Sequence, residues 1–174
     1  ALAGLQAQLA RIRGGIVVAL ERPEWEMPSR PGGDEAAFAV DPAARCELAA
    51  WYDNAFGVVS RVAETRDGAS PVRCWPHHFD LATLLTHPGE GDDDARYVGV
   101  GLSPGDDDYD QPYLYVNAWP APDADRLPAL EGPGHWHPSG WTAGVLLGGE
   151  VAELGDAEAQ CSVVERFVDE ALAK

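Results

Sequence analysis

Histidines closely spaced with one another or with a carboxylate are the residues of this sequence best suited to chemistry. His135 and His137 are separated by one residue, and so are His78 and Asp80 in the segment W-P-H-H-F-D at residues 75–80. Side chains two positions apart on an extended strand point to the same side, so each pair is expected to present its groups side by side. Together they offer up to three imidazoles and a carboxylate, a ligand set suited to zinc or another divalent transition metal.

A second interpretation of the same histidines requires no metal. Both H-x-H and adjacent histidines occur often by chance, and nothing in the sequence shows that residues 77–80 and residues 135–137 meet in the fold. The rings would then accept or donate bonds to the backbone, pack against neighbouring tryptophans, or contact a substrate. We favour this interpretation over metal ligation.

A strand with two unlike faces is predicted at residues 113–119. One face is aliphatic, whereas the other carries three aromatic rings and an amide: Tyr113, Tyr115, Asn117 and Trp119. A sheet face covered by helices is normally aliphatic, so we expect the aromatic face to line a cleft for a ligand. The other residues expected to contact that ligand are Trp75, His77 and Trp136. The alternative is that the aromatic rings pack beneath a loop with their polar ends hydrogen-bonded.

Two further groups give weaker signals. Cys74 lies three residues before His77, but strand alternation places it most simply in the core rather than as a nucleophile. The aspartates of residues 106–110 match the start of a calcium loop. However, Gln111 stands where such a loop needs glycine and Asn117 where it needs glutamate, which favours a solvated turn. Nucleotide-binding, zincin and serine-hydrolase motifs are absent from the sequence.

The elements that must position these residues follow from hydrophobic periodicity. Helices are predicted over residues 2 to about 14, from Pro42 to about 64 after the capping residue Asp41, and after Asp156. Strands are predicted at residues 16–20, 36–40, 72–75, 79–85, 97–102, 113–119 and 141–147. This order predicts one α+β domain over residues 1–174, with a mostly antiparallel sheet and helices packed on one face.

Composition excludes several classes of function. The chain has 174 residues and a formal net charge of −17, so it is expected to repel nucleic acid and anionic lipid. No apolar run is long enough for a transmembrane helix. Three widely spaced cysteines favour a reducing cytoplasm rather than a disulfide framework.

Four segments together resemble an uncharacterised family of bacterial proteins of unknown function. They are W-P-H-H-F-D at 75–80, G-L-S-P-G-D at 101–106, P-Y-L-Y-V at 112–116 and G-H-W-H at 134–137. The resemblance is densest between residues 70 and 147. It implies a bacterial, cytoplasmic protein whose relatives carry an additional N-terminal region, and it supplies no activity, cofactor or catalytic residue.

The sequence therefore predicts a domain that binds a small, neutral or cationic molecule in a pocket lined by aromatic rings and histidines. One alternative is a metal-dependent hydrolase in which His78, His135 and His137 hold the ion. A metal-bound water would then be the nucleophile, and Asp80 would be a ligand or the base. The other alternative is a structural or interaction protein whose aromatic residues are core.

Overall fold

Residues 41–76, 78–89, 94–137 and 140–173 are described by the computed structural model. The helix and the two strands predicted before Asp41 lie outside the described residues, so a single domain over the whole chain stays a prediction. From Pro42 onward the chain forms one compact unit.

Six antiparallel strands form the sheet. In chain order they are β1 (Arg73–Cys74), β2 (Leu81–His87), β3 (Arg96–Ser103), β4 (Tyr113–Trp119), β5 (His135–His137) and β6 (Ala143–Leu147). Their spatial order is β1-β2-β3-β4-β6-β5, with every neighbouring pair antiparallel. Four strands thus follow one another by short connections, and β6 inserts between β4 and β5.

Three helices accompany the sheet: α1 (Pro42–Thr65), α2 (Gly148–Ala152) and α3 (Ala157–Leu172). Helix α1 begins with a proline, whose fixed φ suits the first helical position and whose missing N–H costs nothing there. The Asp156 side chain accepts a hydrogen bond of 2.8 Å from the backbone N–H of Ala159 and so caps α3. Among the described residues, no helix is long and apolar enough to cross a membrane.

The core lies between the helices and one face of the sheet. Val100 and Leu102 of β3 are fully buried there, as is Leu146 of β6, and they cluster with Val62 of α1 and Phe167 of α3. Burying large aliphatic side chains of this kind stabilises a fold by about 1.5–3 kcal/mol each. This arrangement confirms the α+β class and the predicted packing of helices on one face.

Ion pairs join the outer sides of α1 and α3. Arg61 lies 3.6 Å from Glu165 and 3.8 Å from Asp169, and Arg66 lies 3.0 Å from Asp169. These side chains are substantially exposed, so each pair is worth at most about 1 kcal/mol. Apolar packing therefore contributes more than these charges to holding the helix layer on the sheet.

Several predicted elements differ in detail from the structure. The strand expected at 79–85 begins at Leu81, because backbone hydrogen bonds from Trp75 to Asp80 and from Phe79 to Trp75 close a turn just before it. Cys74 is exposed rather than buried, with its thiol 3.5 Å from the Phe79 carbonyl oxygen. Strand β5 and helix α2 were not predicted, since three and five residues are too few to show a hydrophobic period.

Candidate functional site

The face of the sheet opposite the core carries the aromatic side of β4. Strand pairing sets Tyr115 of β4 between Gly101 of β3 and Val145 of β6, and Asn117 between Gly99 and Ala143. Paired residues in a sheet share a face, so these side chains all point away from α1 and α3. We call this the cavity face.

A cavity of about 480 Å³ lies on the cavity face. Its floor is formed by strand residues, including Ala82, Leu84, Gly99, Tyr115 and Asn117. Its rim is formed by loops and by neighbouring rings: Trp75, His78, Asp80, Asp106, Asp108, Tyr113 and Trp141. A concave site of this size that combines aromatic rings with polar side chains is a candidate for binding a small molecule.

Two glycines in β3 make room for the side chains that form the floor of the cavity. A Cβ atom at Gly101 would lie 2.8 Å from the Tyr115 hydroxyl, and one at Gly99 would collide with the Asn117 side chain. Both contacts are too close for a real side chain. Glycine at these two positions therefore lets the large groups of β4 lie across β3.

The turn at residues 75–80 brings rim residues of the cavity together between β1 and β2. The Trp75 N–H donates to the Asp80 carbonyl at 2.7 Å, and the Phe79 N–H donates to the Trp75 carbonyl at 2.8 Å. Phe79 has φ of +63°, a left-handed conformation that costs a non-glycine residue roughly 1–2 kcal/mol. The Tyr52 hydroxyl of α1 donates to its carbonyl at 2.6 Å and helps to hold the turn.

Asp80 and Tyr115 connect the rim to the floor through a side-chain hydrogen bond. Burial raises the pKa of the Tyr115 phenol, and the charge of Asp80 and this hydrogen bond raise it further. Tyr115 therefore stays neutral and serves as a hydrogen-bond donor.

Asp106 organises the β3–β4 loop. Its Oδ1 accepts hydrogen bonds from the backbone N–H groups of Asp108 at 2.9 Å and Tyr109 at 3.1 Å, and its Oδ2 accepts one from the Tyr113 hydroxyl at 2.6 Å. Partial burial raises the pKa of Asp106, but these hydrogen bonds and the nearby His78 outweigh it, so the net pKa lies below 3.8. Asp106 is therefore ionised at neutral pH.

Tyr109 links the same loop to the histidines of β5. Its hydroxyl lies 2.9 Å from Nε2 of His135 and 2.8 Å from Nδ1 of His137. One ring nitrogen can accept the phenolic proton while the other donates to the oxygen. The phenol therefore lies between the two imidazoles that the H-x-H spacing set side by side.

His137 reaches the rim of the cavity through Trp141 and Asp108. Its ring stacks on that of Trp141 with centroids 4.7 Å apart, and its Nε2 lies 3.9 Å from Oδ2 of Asp108. The Trp141 indole N–H donates to the same carboxylate oxygen at 3.0 Å. Strand β5 thus supports the cavity wall from behind.

The structure separates the predicted metal ligands into two places. His78 and Asp80 lie at the rim of the cavity. His135 and His137 lie on the edge strand β5, where both are hydrogen-bonded to the Tyr109 hydroxyl. Within the described ranges, no group of three or more His, Cys, Asp or Glu side chains is arranged to hold a metal ion.

The predicted ligand contacts divide in a similar way. Trp75, Tyr113, Tyr115 and Asn117 border the cavity. His77 lies outside the described residues. Trp119 follows on the same face of β4 but is 66% exposed and does not border the cavity.

Trp136 is placed on the opposite face from the one expected. It alternates with His135 and His137 on β5, packs against the core, and donates its indole N–H to the Pro128 carbonyl at 2.8 Å. Its exclusion from the cavity follows from strand alternation, because the two histidines already occupy the cavity face.

Four residues that matter to the site were not predicted: Asp106, Asp108, Tyr109 and Trp141. The aspartates were interpreted as a solvated turn because the calcium-loop pattern failed. The sequence did carry another signal. An aspartate at the start of a loop can accept hydrogen bonds from the backbone N–H groups two and three residues later, and this is typical of a structured turn.

No protein-family model, curated protein or solved structure matches this chain. Three of the four segments that carry the family resemblance contribute residues to the cavity, and the fourth, residues 134–137, supports its wall through Tyr109 and Trp141.

Proposed function

We propose that this domain binds a small organic molecule in the cavity on the cavity face. The observation that carries the proposal is the cavity itself, about 480 Å³ in volume and lined by aromatic rings, carboxylates and an imidazole. Binding sites for small molecules have volumes in this range and combine apolar and aromatic walls with polar groups that orient the ligand.

The hydrogen bonds around the rim favour a binding site over simple packing. Tyr113 is 4% exposed and its hydroxyl is held by Asp106, while the Trp141 N–H is held by Asp108. Rings fixed in this way keep their orientation before a ligand arrives, which lowers the entropic cost of binding.

Two variants test the proposal through opposite changes to the cavity. Asn117 is exposed on the floor, so Asn117→Trp should fill the cavity, whereas Trp75→Ala should remove part of its wall. A library of fragments with cationic, neutral and anionic members would be screened by ligand-observed NMR. We expect fragments that bind the parent protein and lose binding in both variants.

A matched control separates this result from general loss of structure. Phe56→Ala removes an aromatic ring that is 53% exposed on α1, on the other side of the sheet, and should leave fragment binding unchanged. Circular dichroism would verify that each variant is folded. If no fragment depends on Asn117 or Trp75 in folded protein, the cavity is not a binding site.

The cellular setting and the family are also proposals. Cys46, Cys74 and Cys161 are free thiols, which supports a reducing compartment such as the cytoplasm. Membership of the bacterial family is supported by the four segments, three of which contribute residues to the cavity while the fourth contacts its wall.

A further inference from the structure

The cavity wall combines aromatic faces with carboxylates. The ring of Tyr113 lies 6.3 Å from that of Tyr115 and 6.3 Å from that of Trp141, measured between centroids, and all three residues line the cavity. Asp106 is bonded to the Tyr113 hydroxyl and Asp108 to the Trp141 N–H. Each carboxylate thus lies at the edge of a ring that faces the same cavity.

The charge of these groups favours one class of ligand. Three carboxylates border the cavity, and none of the described residues that line it is lysine or arginine. The donors to Asp106 and Asp108 include a phenol, an indole and backbone N–H groups, which satisfy oxygen lone pairs without carrying positive charge.

The basic side chains described near the cavity leave its wall with an excess of carboxylates. The base beside Asp106 is His78 and the base beside Asp108 is His137, so each of these carboxylates has an imidazole nearby rather than a lysine or arginine. Arg73 shares the face of its β-partner Ala82, but it is exposed on the edge strand and does not border the cavity.

We propose that the cavity selects a small organic ammonium ion, an alkylated nitrogen with a positive charge. This inference rests on the proposed function and names its ligand class. The electron-rich faces of Tyr and Trp attract such a cation, and the effect is larger where water is partly excluded. The alkyl groups of the ligand would contact the same rings, and Asp106 and Asp108 would supply the countercharge.

Neutral and anionic ligands fit the same wall less well. A neutral polyol would donate hydrogen bonds to the carboxylates but would not neutralise their charge. An anion would meet Asp106 and Asp108 directly, in a chain whose formal net charge is −17. The field of the whole chain also raises the local concentration of cations.

Matched pairs of ligands test charge without changing shape. Choline and 3,3-dimethyl-1-butanol differ only in a charged nitrogen replacing a carbon, and butylammonium with butanol and benzylammonium with benzyl alcohol extend the comparison. Each would be titrated into the parent protein and followed by NMR. At least one cation should bind tenfold or more tightly than its neutral partner, and the difference should shrink at high salt.

Variants of the β3–β4 loop assign the effect to particular carboxylates. Asp108→Asn and Asp106→Asn should each weaken binding of that cation by about tenfold more than they weaken binding of its neutral partner. Asp107→Asn is the matched control, because it removes the same charge from an exposed residue of the same loop that does not border the cavity. Because Asp106 also holds the loop and Asp108 also holds the Trp141 ring, the deciding quantity is the ratio of the cation's affinity to that of its neutral partner, which each variant should lower.

Failure of this inference and failure of the proposed function give different results. Suppose that neutral or anionic fragments bind the parent protein but not the Asn117→Trp and Trp75→Ala variants, while each cation binds no more tightly than its neutral partner. The ammonium selectivity is then wrong and the binding site stands. If no compound of any charge depends on the cavity, both are wrong.

Discussion

Tyr113→Phe tests whether the bond between β4 and the β3–β4 loop holds the cavity rim. The Tyr113 hydroxyl donates to Oδ2 of Asp106 at 2.6 Å, and the tyrosine ring is almost fully buried. A hydrogen bond to a charged acceptor contributes about 1.5–3 kcal/mol where both groups are buried. Because Asp106 is exposed and water can replace the hydroxyl, we expect the variant to lose about 1 kcal/mol of unfolding free energy.

The same bond predicts a dependence on pH. Although burial raises the pKa of Asp106, the hydrogen bonds lower it further, so its folded pKa lies below the ordinary 3.8. The stability gained from the ionised carboxylate is therefore complete above that ordinary value and is lost as pH falls through the folded pKa. Removing the Tyr113 hydroxyl raises the pKa of Asp106 in the folded protein. The stability difference between parent and variant should be constant near neutral pH and shrink below about pH 4.

Urea unfolding followed by tryptophan fluorescence measures both effects. A double-mutant cycle with Asp106→Asn at pH 7 should give a coupling of about 1 kcal/mol, because both single variants remove the same interaction. Tyr97→Phe, at a half-buried tyrosine of β3, is the control and should show no coupling to Asp106→Asn. A coupling below about 0.3 kcal/mol, or the same stability difference at pH 7 and pH 3, would refute the reasoning.

Two further predictions concern α3 and the histidines. Asp156→Ala removes the side chain that caps α3 at Ala159, so the variant should lose about 1 kcal/mol of unfolding free energy in urea. Asp156→Asn keeps a capping oxygen and should lose only a few tenths of that. Equal losses in the two variants would contradict a capping role. Protein purified without chelator should contain much less than one equivalent of zinc, iron or manganese by elemental analysis. Near one equivalent, absent from the His135→Ala, His137→Ala double variant, would instead support the metal-dependent alternative.

Local patterns were sufficient to predict most of the fold. The alternation in residues 113–119 gave β4 with its observed bounds, and the proline after Asp41 gave the start of α1. Asp156 marked the start of α3. Each of these signals lies within a few residues of the element that it defines, so it does not depend on distant parts of the chain.

The turn at residues 75–80 could not be predicted in this way. Phe79 was predicted to begin a strand, but the backbone hydrogen bonds from Trp75 to Asp80 and from Phe79 to Trp75 close a turn, and Phe79 adopts a positive φ that its residue type disfavours. The contact that helps to fix it comes from Tyr52, 27 residues earlier on α1. Tertiary packing therefore overrides the local preference.

The cavity was only half predictable for a similar reason. Alternation on β4 identified the floor residues Tyr115 and Asn117, because sheet faces follow from a period of two. The rim required knowing that the loop after β3 turns back over β4, so that Asp108 meets Trp141, 33 residues later. No short-range pattern contains that contact.

The histidines of β5 show how a correct local inference can lead to an uncertain chemical one. Spacing placed His135 and His137 side by side, and both do reach Tyr109 from one face. The phenol comes from 26 and 28 residues earlier in the chain, and it occupies ring nitrogens that a metal would use. A metal at these histidines would have to displace that hydroxyl and find further ligands, whereas a cation in the cavity requires no bond to be broken. The geometry therefore favours an organic ligand among the rings over a metal ion on β5.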